Sequence, residues 1–590
     1  MAILINYVVI EKVSHPFFFE QDPNDGRSLI SVLMHYATVD EFYSIDQGDN
    51  IQPGQEKYVF TTNDEDIELK KLLWTTILYA SRDADCQQAH KELMEQNFLN
   101  AILMYLNPQS SNPQLHRWQP PQLQELQIHG LSLICNLLPL IPEYIHSLNT
   151  HQYLVKMIQS YTDYERRIAC MKAILQASKF DFFKANFNNS GLVDVLLDIV
   201  DQGTDVHLDL REFAFCILSN LCKDNRDNQK EFRRKKGIEY LKTNLAYAEV
   251  EQSGNASTFL LSVIDCLSNA VFGNKRSELH FLDIEGVYIL LDLAENCESS
   301  LKRLVLSSIC TILENPKSFQ YFVEWSSSKT TINASQLLVR LFREEDKRFG
   351  VKVNNGILED IERPLNPNDS FLVRQRKEEG DEGIPGVQPD SNAGNGESLK
   401  MIDGGGNEGT ARLGQSQSSM RNSQSQIKAS RSLHQALKAG DKQSANTDSH
   451  LARVMNEYSK GFDIRAVIFG TFYRCGFDLH ELTPSEKQLM EVIQLYPYLK
   501  NGEIWRDIAE YFEDKNIRPT SDDKHWMETC IEESREQTEA AIFDQQVLAG
   551  EMKQKQQEEL DRYYAAIRLK NELSNQQKGP SRTSQKKGPK

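Results

Sequence analysis

Apolar residues in the segment 210–245 mark two amphipathic helices separated by a glycine. Five of them recur at i, i+3, i+4, i+7 and i+8, the spacing of one apolar helix face: Ala214, Ile217, Leu218, Leu221 and Cys222. The segment that follows is polar apart from Phe232, and apolar residues return at helical spacing after Gly237. A glycine just past a helix end can take the left-handed backbone conformation that other residues adopt only at a steric cost. The pattern therefore predicts two helices with a sharp turn at Gly237.

The same pattern returns along the chain, so the sequence predicts a repeat protein. Leu267-Ser268-Asn269 repeats Leu218-Ser219-Asn220 at a distance of 49 residues, and Gly286 takes the place of Gly237 without a gap. Looser copies restart their apolar helix at residue 98, near residue 153, and at residue 192 after Gly191. Intervals of about 40 to 55 residues match the helical units of armadillo or HEAT proteins, whereas tetratricopeptide and ankyrin units are shorter. The predicted fold class is all-α, with an armadillo/HEAT-like α-solenoid.

The repeat pattern ends before a stretch of low apolar content, and a second helical region follows it. Residues 363–447 are rich in Gly, Ser and Gln and hold too few large apolar residues to offset the entropy of ordering, which predicts a disordered linker. The expected domains are a repeat array, this linker, a small helical module, a long exposed helix and a basic disordered tail. Their boundaries are 1–362, 363–447, 448–520, 521–576 and 577–590.

The C-terminal region contains one strong helix start and one very long helix. Thr483-Pro484-Ser485-Glu486 is a capping box with Pro at the first helical position, and the helix it opens is expected to stop near Pro497. Another helix is expected to begin at Gly502. Residues 522–573 contain no other breaker than Gly550, so they predict one helix with sparse apolar positions.

A long helix with few apolar residues needs a partner to cover them. The residues proposed to bind this partner are Ile542, Leu548, Met552, Leu560 and Ile567. The partner could be the array, a second copy of the chain, or a neighbouring protein. The apolar spacing keeps a heptad only in part, so a second copy is the least favoured of the three.

Composition and motifs exclude several function classes. The formal net charge of −18 argues against nucleic acid or an anionic membrane as a partner. Ten cysteines are scattered without a C-x-x-C pair, as in a reducing cytosolic compartment. The first residues, MAILINYVVIEK, lack the basic start of a secretory signal, and they are too short and too polar to span a membrane.

The motifs of phosphate binding, dinucleotide binding, zinc hydrolysis and serine hydrolysis are absent from the sequence. Histidines do not pair with Cys, Asp or Glu at the spacing of metal ligands. We therefore expect no enzymatic activity, no cofactor, no metal and no small-molecule substrate.

Three asparagines at equivalent repeat positions, Asn220, Asn269 and Asn136, have two interpretations. In importin-like armadillo arrays such asparagines bind an extended peptide, and a Trp one turn earlier packs on the side chains of that peptide. The preceding-turn positions here hold Cys216, Asp265 and Ser132. The favoured interpretation is that these asparagines satisfy polar groups between stacked units.

Several stretches resemble the family of cilia- and flagella-associated protein 69. They are DIELKKLLWTTILYASRD (66–83), QELQIHGLSLICNLLPLI (124–141), EGVYILLDLAEN (285–296), ENPKS (314–318), SQLLVRLFREEDKRFGVKVNNG (335–356), DIRAVIFGTFYRCGFD (463–478) and GEIWRDIAEYFEDKNIRP (502–519). The resemblance is collinear across the array, the linker and the C-terminal helices.

The resemblance implies an armadillo protein of motile cilia, sited in a projection on the central-pair microtubules and acting as a scaffold among projection proteins. It implies other central-apparatus proteins as partners, proximity to microtubules, and a location in the cytoskeleton of the axoneme. The alternative is a soluble armadillo-type adaptor that binds extended peptides, such as a cargo or import factor. The missing Trp residues and the long C-terminal helix favour the scaffold.

Overall fold

The computed structural model describes residues 26–42, 62–81, 87–110, 113–203, 207–250, 254–367, 463–477 and 482–577, together with residue 23. Residues 368–447 of the predicted linker, residues 448–462 of the predicted helical module and residues 578–590 of the predicted tail lie outside these residues. The described chain is mostly helical and forms two compact units, Met1–Tyr321 and Phe322–Lys590. The predicted all-α fold class, with a solenoid and a long C-terminal helix, is confirmed.

The first unit is built from short helices that repeat in groups of three. They are α1 (Leu29–Phe42), α2 (Asp64–Ala80), α3 (Gln87–Glu95), α4 (Phe98–Tyr105), α5 (Pro113–His116), α6 (Pro120–Leu137), α7 (Pro142–Ser147), α8 (Thr150–Ser160), α9 (Tyr164–Ala177), α10 (Asp181–Asn189), α11 (Leu192–Asp201), α12 (Leu208–Cys222), α13 (Arg226–Arg234), α14 (Gly237–Val250), α15 (Gly254–Ala270), α16 (Lys275–Asp283), α17 (Gly286–Asn296) and α18 (Ser299–Ile312). Helix α19 (Ser318–Glu324) follows.

Helices at the same place in each group stack on one another, as the repeat pattern predicts. The long helices α2, α6, α9, α12, α15 and α18 form one layer in chain order. The apolar helices α8, α11, α14 and α17 form a second layer. The core lies between the layers and contains the apolar stripes that define the repeat, including Leu218 and Leu267, both fully buried. Each helix therefore covers its apolar face against neighbours only one unit away.

The second unit combines residues from both sides of the predicted linker. Its described elements are α20 (Ala334–Phe349), a two-stranded antiparallel hairpin of β1 (Val353–Asn354) and β2 (Ile357–Leu358), α21 (Arg465–Cys475), α22 (Pro484–Asp514) and α23 (Ser521–Gln577). Helices α22 and α23 pack along each other, and α20 and α21 both contact α22. The predicted boundary between residues 362 and 363 lies inside this unit.

Helix α22 does not stop at Pro497 as the sequence predicts. It continues to Asp514 with Pro497 inside it. The proline ring faces solvent, so it leaves the packing of α22 on α23 intact, and this packing holds the helix together across the missing hydrogen bond. The expected restart at Gly502 is also wrong. Gly502 lies within the helix and is buried against α23, where an added Cβ atom would collide with the side chain of Ser534.

Candidate interaction surfaces

The turn before each second-layer helix has one left-handed residue, and its position corrects the sequence prediction for two glycines. Asn97, Asn149 and Gly191 have positive φ angles of 54°, 56° and 75°. In the next two units the left-handed residues are Lys236 and Glu285, at 63° and 64°. Gly237 and Gly286 follow them as the first helical residues, so neither glycine provides the left-handed turn that the sequence predicts.

Gly237 and Gly286 are explained by the aromatic rings that lie over them. A Cβ atom on Gly237 would lie 2.5 Å from the ring of Phe232, and one on Gly286 would collide with the ring of Phe281. Both rings are fully buried. In these two units the glycine gives the ring room to enter the turn, and the strained backbone is one residue earlier. Gly191 differs, because its Cβ position is open and only its positive φ favours glycine.

The repeat asparagines Asn220 and Asn269 donate hydrogen bonds to serines on the preceding helix of the first layer. Asn220 Nδ2 lies 3.0 Å from Ser178 Oγ, and Asn269 Nδ2 lies 2.8 Å from Ser219 Oγ. Ser219 in turn donates to the carboxylate of Asp265. These contacts link α9 to α12 and α12 to α15, so both amides are engaged between stacked units.

A half-buried polar row runs beside these asparagines on α12. Glu212 accepts a 3.0 Å hydrogen bond from Thr258 on α15. Burial raises the pKa of Glu212 to about 7, and the nearby carboxylate of Asp209 acts in the same direction. Burial likewise raises the pKa of Cys216 to about 12, helped by Glu212 and Asp265. The thiol is therefore protonated at neutral pH and is a poor nucleophile or metal ligand.

Arg465 is the centre of a buried polar cluster in the second unit. Its side chain is 0% exposed, so its positively charged guanidinium needs partners within the protein. The guanidinium donates to Asp463, to Asp346 Oδ1 at 2.8 Å, to the carbonyl oxygen of Leu365 at 2.9 Å and to Asn366 Oδ1 at 3.0 Å. Burial opposes ionisation of Asp463, but its bonds from Arg465 hold its pKa below the usual value.

Glu503 completes this cluster from α22. Its Oε1 accepts hydrogen bonds from the backbone N–H groups of Leu365 and Asn366, both at 2.7 Å, and its Oε2 accepts one from Asn366 Nδ2. Two residues at the start of the predicted linker, Leu365 and Asn366, are thus bonded to α21 and α22, which follow the linker. Sequence reasoning missed this cluster because the hydrogen bonds that join Leu365 and Asn366 to Arg465 and Glu503 connect residues 99 to 138 positions apart in the chain.

The hairpin is attached to α23 by Gln545, which is also bonded to Gln488 of α22. Gln545 of α23 accepts a hydrogen bond from the backbone N–H of Leu358 and donates to the backbone oxygen of Gln488, while Gln488 donates to the backbone oxygen of Gln545. The sequence carried a signal for the hairpin. Asn355-Gly356 both have positive φ, and an Asn-Gly pair between apolar residues is typical of a tight hairpin turn.

The first half of α23 is covered by α22. Its buried residues recur every three or four positions and face α22: Met527, Cys530, Ser534, Thr538, Ala541 and Gln545. Of the residues proposed to bind a partner, Ile542, Leu548 and Met552 are half-buried within the second unit. Their apolar surface is therefore already covered in part, and they offer little to another protein.

The second half of α23, residues 551–577, extends beyond the start of α22 and is called the arm below. Every residue from 553 to 573 is exposed. Leu560 and Ile567, the other two residues proposed to bind a partner, are 49% and 37% exposed, and Tyr563 and Tyr564 beside them are 63% and 52% exposed. Exposed apolar residues grouped on one helix face are typical of a docking surface.

Among the residues that the structure describes, no group of three or more His, Cys, Asp and Glu side chains has the arrangement of a metal site. None of the helices described is both long and apolar enough to cross a bilayer.

Comparison with known proteins assigns the array to a family. The family described as cilia- and flagella-associated protein 69, ARM repeat, matches residues 26–165 and 169–370. The mouse protein of that name is 24% identical over 336 residues, covering 51% of this chain and 35% of the mouse protein. The human protein is 23% identical over 338 residues, with the same coverage of each chain. The aligned region thus spans about a third of the length of these relatives.

Among solved structures, a designed armadillo repeat protein matches with a TM-score of 0.32 and 14% identity, covering 41% of this chain and 94% of the designed chain. The family match covers more than half of the chain, and the repeated three-helix units of the structure agree with it. The chain therefore belongs to the cilia- and flagella-associated protein 69 armadillo-repeat family.

Proposed function

We propose that this protein is a non-catalytic structural scaffold of the motile-cilium axoneme, built into a projection on the central-pair microtubules. It binds other central-apparatus proteins through its armadillo surface and its C-terminal helices, close to the microtubules. It needs no cofactor and has no nucleic-acid, membrane or small-molecule partner. Membership of a cilia- and flagella-associated family supports the cellular location.

The arm is the observation that carries this proposal. A helix gains most of its stability in water from tertiary packing of an apolar face, yet the apolar residues Leu560, Tyr563 and Ile567 lie on a stretch that no helix of the described residues covers. The N-terminal half of α23 is fixed in the second unit, so the arm is held at one end. A helix held in this way presents its apolar face to a partner at a defined position, as a scaffold requires.

The contacts of Asn220 and Asn269 favour the scaffold over the peptide adaptor. An adaptor of the importin type needs these amides to bind a peptide backbone, whereas both donate to serines of the neighbouring unit. The positions one turn earlier carry Cys216 and Asp265, which cannot pack as Trp rings do. Peptide binding would have to break two inter-unit hydrogen bonds without the aromatic contacts that compensate for them.

Localisation of a tagged full-length chain tests the proposal. We expect the tag along the central pair of the axoneme, and we expect chemical crosslinking there to join the chain to other axonemal proteins. A tag that stays diffuse in the cytoplasm and crosslinks mainly to transport factors would support the adaptor and contradict the scaffold. An Asn220→Ala, Asn269→Ala variant provides a control, because it should reduce peptide binding by an adaptor and leave scaffold localisation unchanged.

A further inference from the structure

The exposed apolar residues of the arm are arranged symmetrically along the helix. Leu560, Tyr563, Tyr564 and Ile567 stand at i, i+3, i+4 and i+7, so they share one face. Leu560 and Ile567 are equally distant from the midpoint between the two tyrosines. This midpoint also lies at the centre of the arm, residues 551–577. The face therefore presents the same order of residue sizes, aliphatic, aromatic, aromatic, aliphatic, when the helix is reversed.

Charged residues flank this face, with acidic residues towards its N-terminal end and basic residues towards its C-terminal end. Glu559 and Asp561 lie on the N-terminal side of the tyrosines, and Arg568 and Lys570 lie on the C-terminal side. At 3.6 residues per turn, Glu559 and Lys570 fall along one edge of the apolar face, and Asp561 and Arg568 fall along the other. All four side chains are exposed. Each edge thus carries one acidic residue before the midpoint and one basic residue after it.

We propose that the arm pairs with the arm of a second copy of this chain in antiparallel orientation. In that orientation Leu560 of one copy packs against Ile567 of the other, and the tyrosines meet at the centre. Like edges of two antiparallel helices face each other, so Glu559 faces Lys570 and Asp561 faces Arg568 in both halves. A parallel pair in register would place the acidic residues against each other, which is unfavourable. The charges therefore select the antiparallel orientation.

The length of the arm fits this arrangement. An overlap of residues 551–577 extends for about 40 Å at 1.5 Å per residue. With the midpoints aligned, the C-terminal end of one arm reaches the region of Gly550 in the other copy. Helix α22 covers α23 only up to that region, because its first turns pack near Gln545 through Gln488. A second arm can therefore cover the apolar face without displacing α22.

This pairing does not need the continuous heptad that the sequence lacks, because the contact is one short apolar face with charged edges. The pairing rests on the proposed scaffold role for the use of the arm as a docking element. It deepens that role by naming a second copy of the chain as the partner of the face centred on Tyr563 and Tyr564. Self-association is measured on purified protein, whereas the scaffold role is measured in cilia. A monomeric protein that still localises to the axoneme would overturn the pairing alone.

The test is the mass of the full-length chain by size-exclusion chromatography with light scattering over a concentration series. We expect the wild type to form a dimer. A Glu559→Lys, Asp561→Lys variant and an Arg568→Glu, Lys570→Glu variant should each weaken dimerisation at least about tenfold, since one lost attraction of about 1.4 kcal/mol has that effect. An equimolar mixture of the two variants should recover the dimer, because each supplies the charges that the other needs.

The matched control is a Glu551→Lys, Glu558→Lys variant. It makes the same change in net charge on the opposite side of the arm and should dimerise like the wild type, with unchanged helix content by circular dichroism. A wild type that stays monomeric across the series would overturn the pairing. So would a dimer that persists in both charge-reversed variants, since another surface would then hold it.

Discussion

Asp346 near the end of α20 and Arg465 at the start of α21 form an ion pair of 2.8 Å across 119 positions of the chain. The same arginine binds Leu365 and Asn366, which immediately precede the segment 368–462, and Asp463, which immediately follows it. The two ends of that segment are therefore held at one side chain. This cluster therefore holds the two parts of the second unit together independently of the segment that connects them in the chain.

A protease site inserted between Lys400 and Met401 tests this closure. We expect the cut protein to migrate as one complex in gel filtration, because residues 322–367 remain bonded to α21, α22 and α23. An Arg465→Met variant should separate into two fragments after the same cut. Loss of the arginine leaves Asp346 and Asp463 buried with uncompensated charge, at a cost of about 3 to 5 kcal/mol. Wild-type fragments that separate on cutting would show that the cluster does not close the unit.

Substitution of the repeat glycines separates steric from backbone effects. Gly286→Ala should destabilise the first unit by about 1 to 3 kcal/mol, because the new methyl group collides with the Phe281 ring. Gly191→Asn should cost little, since asparagine tolerates positive φ and Asn97 and Asn149 occupy the equivalent positions. Chemical denaturation of the three proteins makes the comparison. Equal costs for Gly286→Ala and Gly191→Asn would contradict the assigned role of Phe281.

The two glycines of the long helices should respond in opposite ways to alanine. Gly502 packs directly on Ser534, so Gly502→Ala should push α22 and α23 apart and lower the melting temperature. Gly550 has open space at its Cβ position, so Gly550→Ala should stabilise the helix by up to about 1 kcal/mol through its higher helix propensity. Scanning calorimetry measures both. Similar shifts of the melting temperature in one direction would argue against close packing at Gly502.

Glu212 should make the stability of the first unit depend on pH. Burial raises its pKa to about 7 from an ordinary 4.5, so the folded chain holds a proton that the unfolded chain releases. Stability should therefore fall as pH rises from about 4.5 to 7, by at most about 3 kcal/mol from this group. Glu212→Gln should remove the dependence and be more stable than the wild type at pH 8.

Urea unfolding at pH 5 and pH 8 measures this difference, and Glu165→Gln on the exposed surface of α9 serves as the control. The control should follow the pH dependence of the wild type. If Glu212→Gln also follows it between pH 5 and 8, the carboxyl group of Glu212 does not contribute the expected term.

The sequence predicts the array well because its evidence is local and repeated. The apolar residues of each unit recur at helical spacing. A unit with a weak pattern can be recognised from a neighbouring unit with equivalent residues, as Leu218 and Leu267 show. It predicts the turns less well. The glycine pattern marks the right place, but the left-handed residue is Lys236 or Glu285, since the decisive contact is an aromatic ring over the following glycine.

The sequence predicts the second unit poorly because its contacts are distant along the chain. Arg465 and Glu503 are ordinary charged residues in sequence, and only the fold shows that they are buried with partners before residue 367. Proline usually ends a helix, yet α22 continues past Pro497 because the proline ring faces water and the helix is held by α23. The sequence predicts the same partner-binding role for all five apolar residues of α23, whereas the structure distinguishes the half-buried Ile542 from the exposed Leu560.

The structure also shows where the long helix can be cut. Removal of residues 522–590 would take away the stripe from Met527 to Gln545 and disrupt the second unit. Removal of residues 551–590 leaves that stripe in place and deletes only the arm and the residues after it. Removal of residues 578–590 alone is the matched control for loss of the basic tail.

Retention of these truncated chains in detergent-extracted cilia measures the central claim directly. We predict that the chain lacking residues 551–590 folds, enters the cilium and is washed out by detergent, whereas the chain lacking residues 578–590 stays bound to the axoneme like the wild type. Normal retention of the chain without the arm would contradict the account and assign the docking role to the armadillo surface.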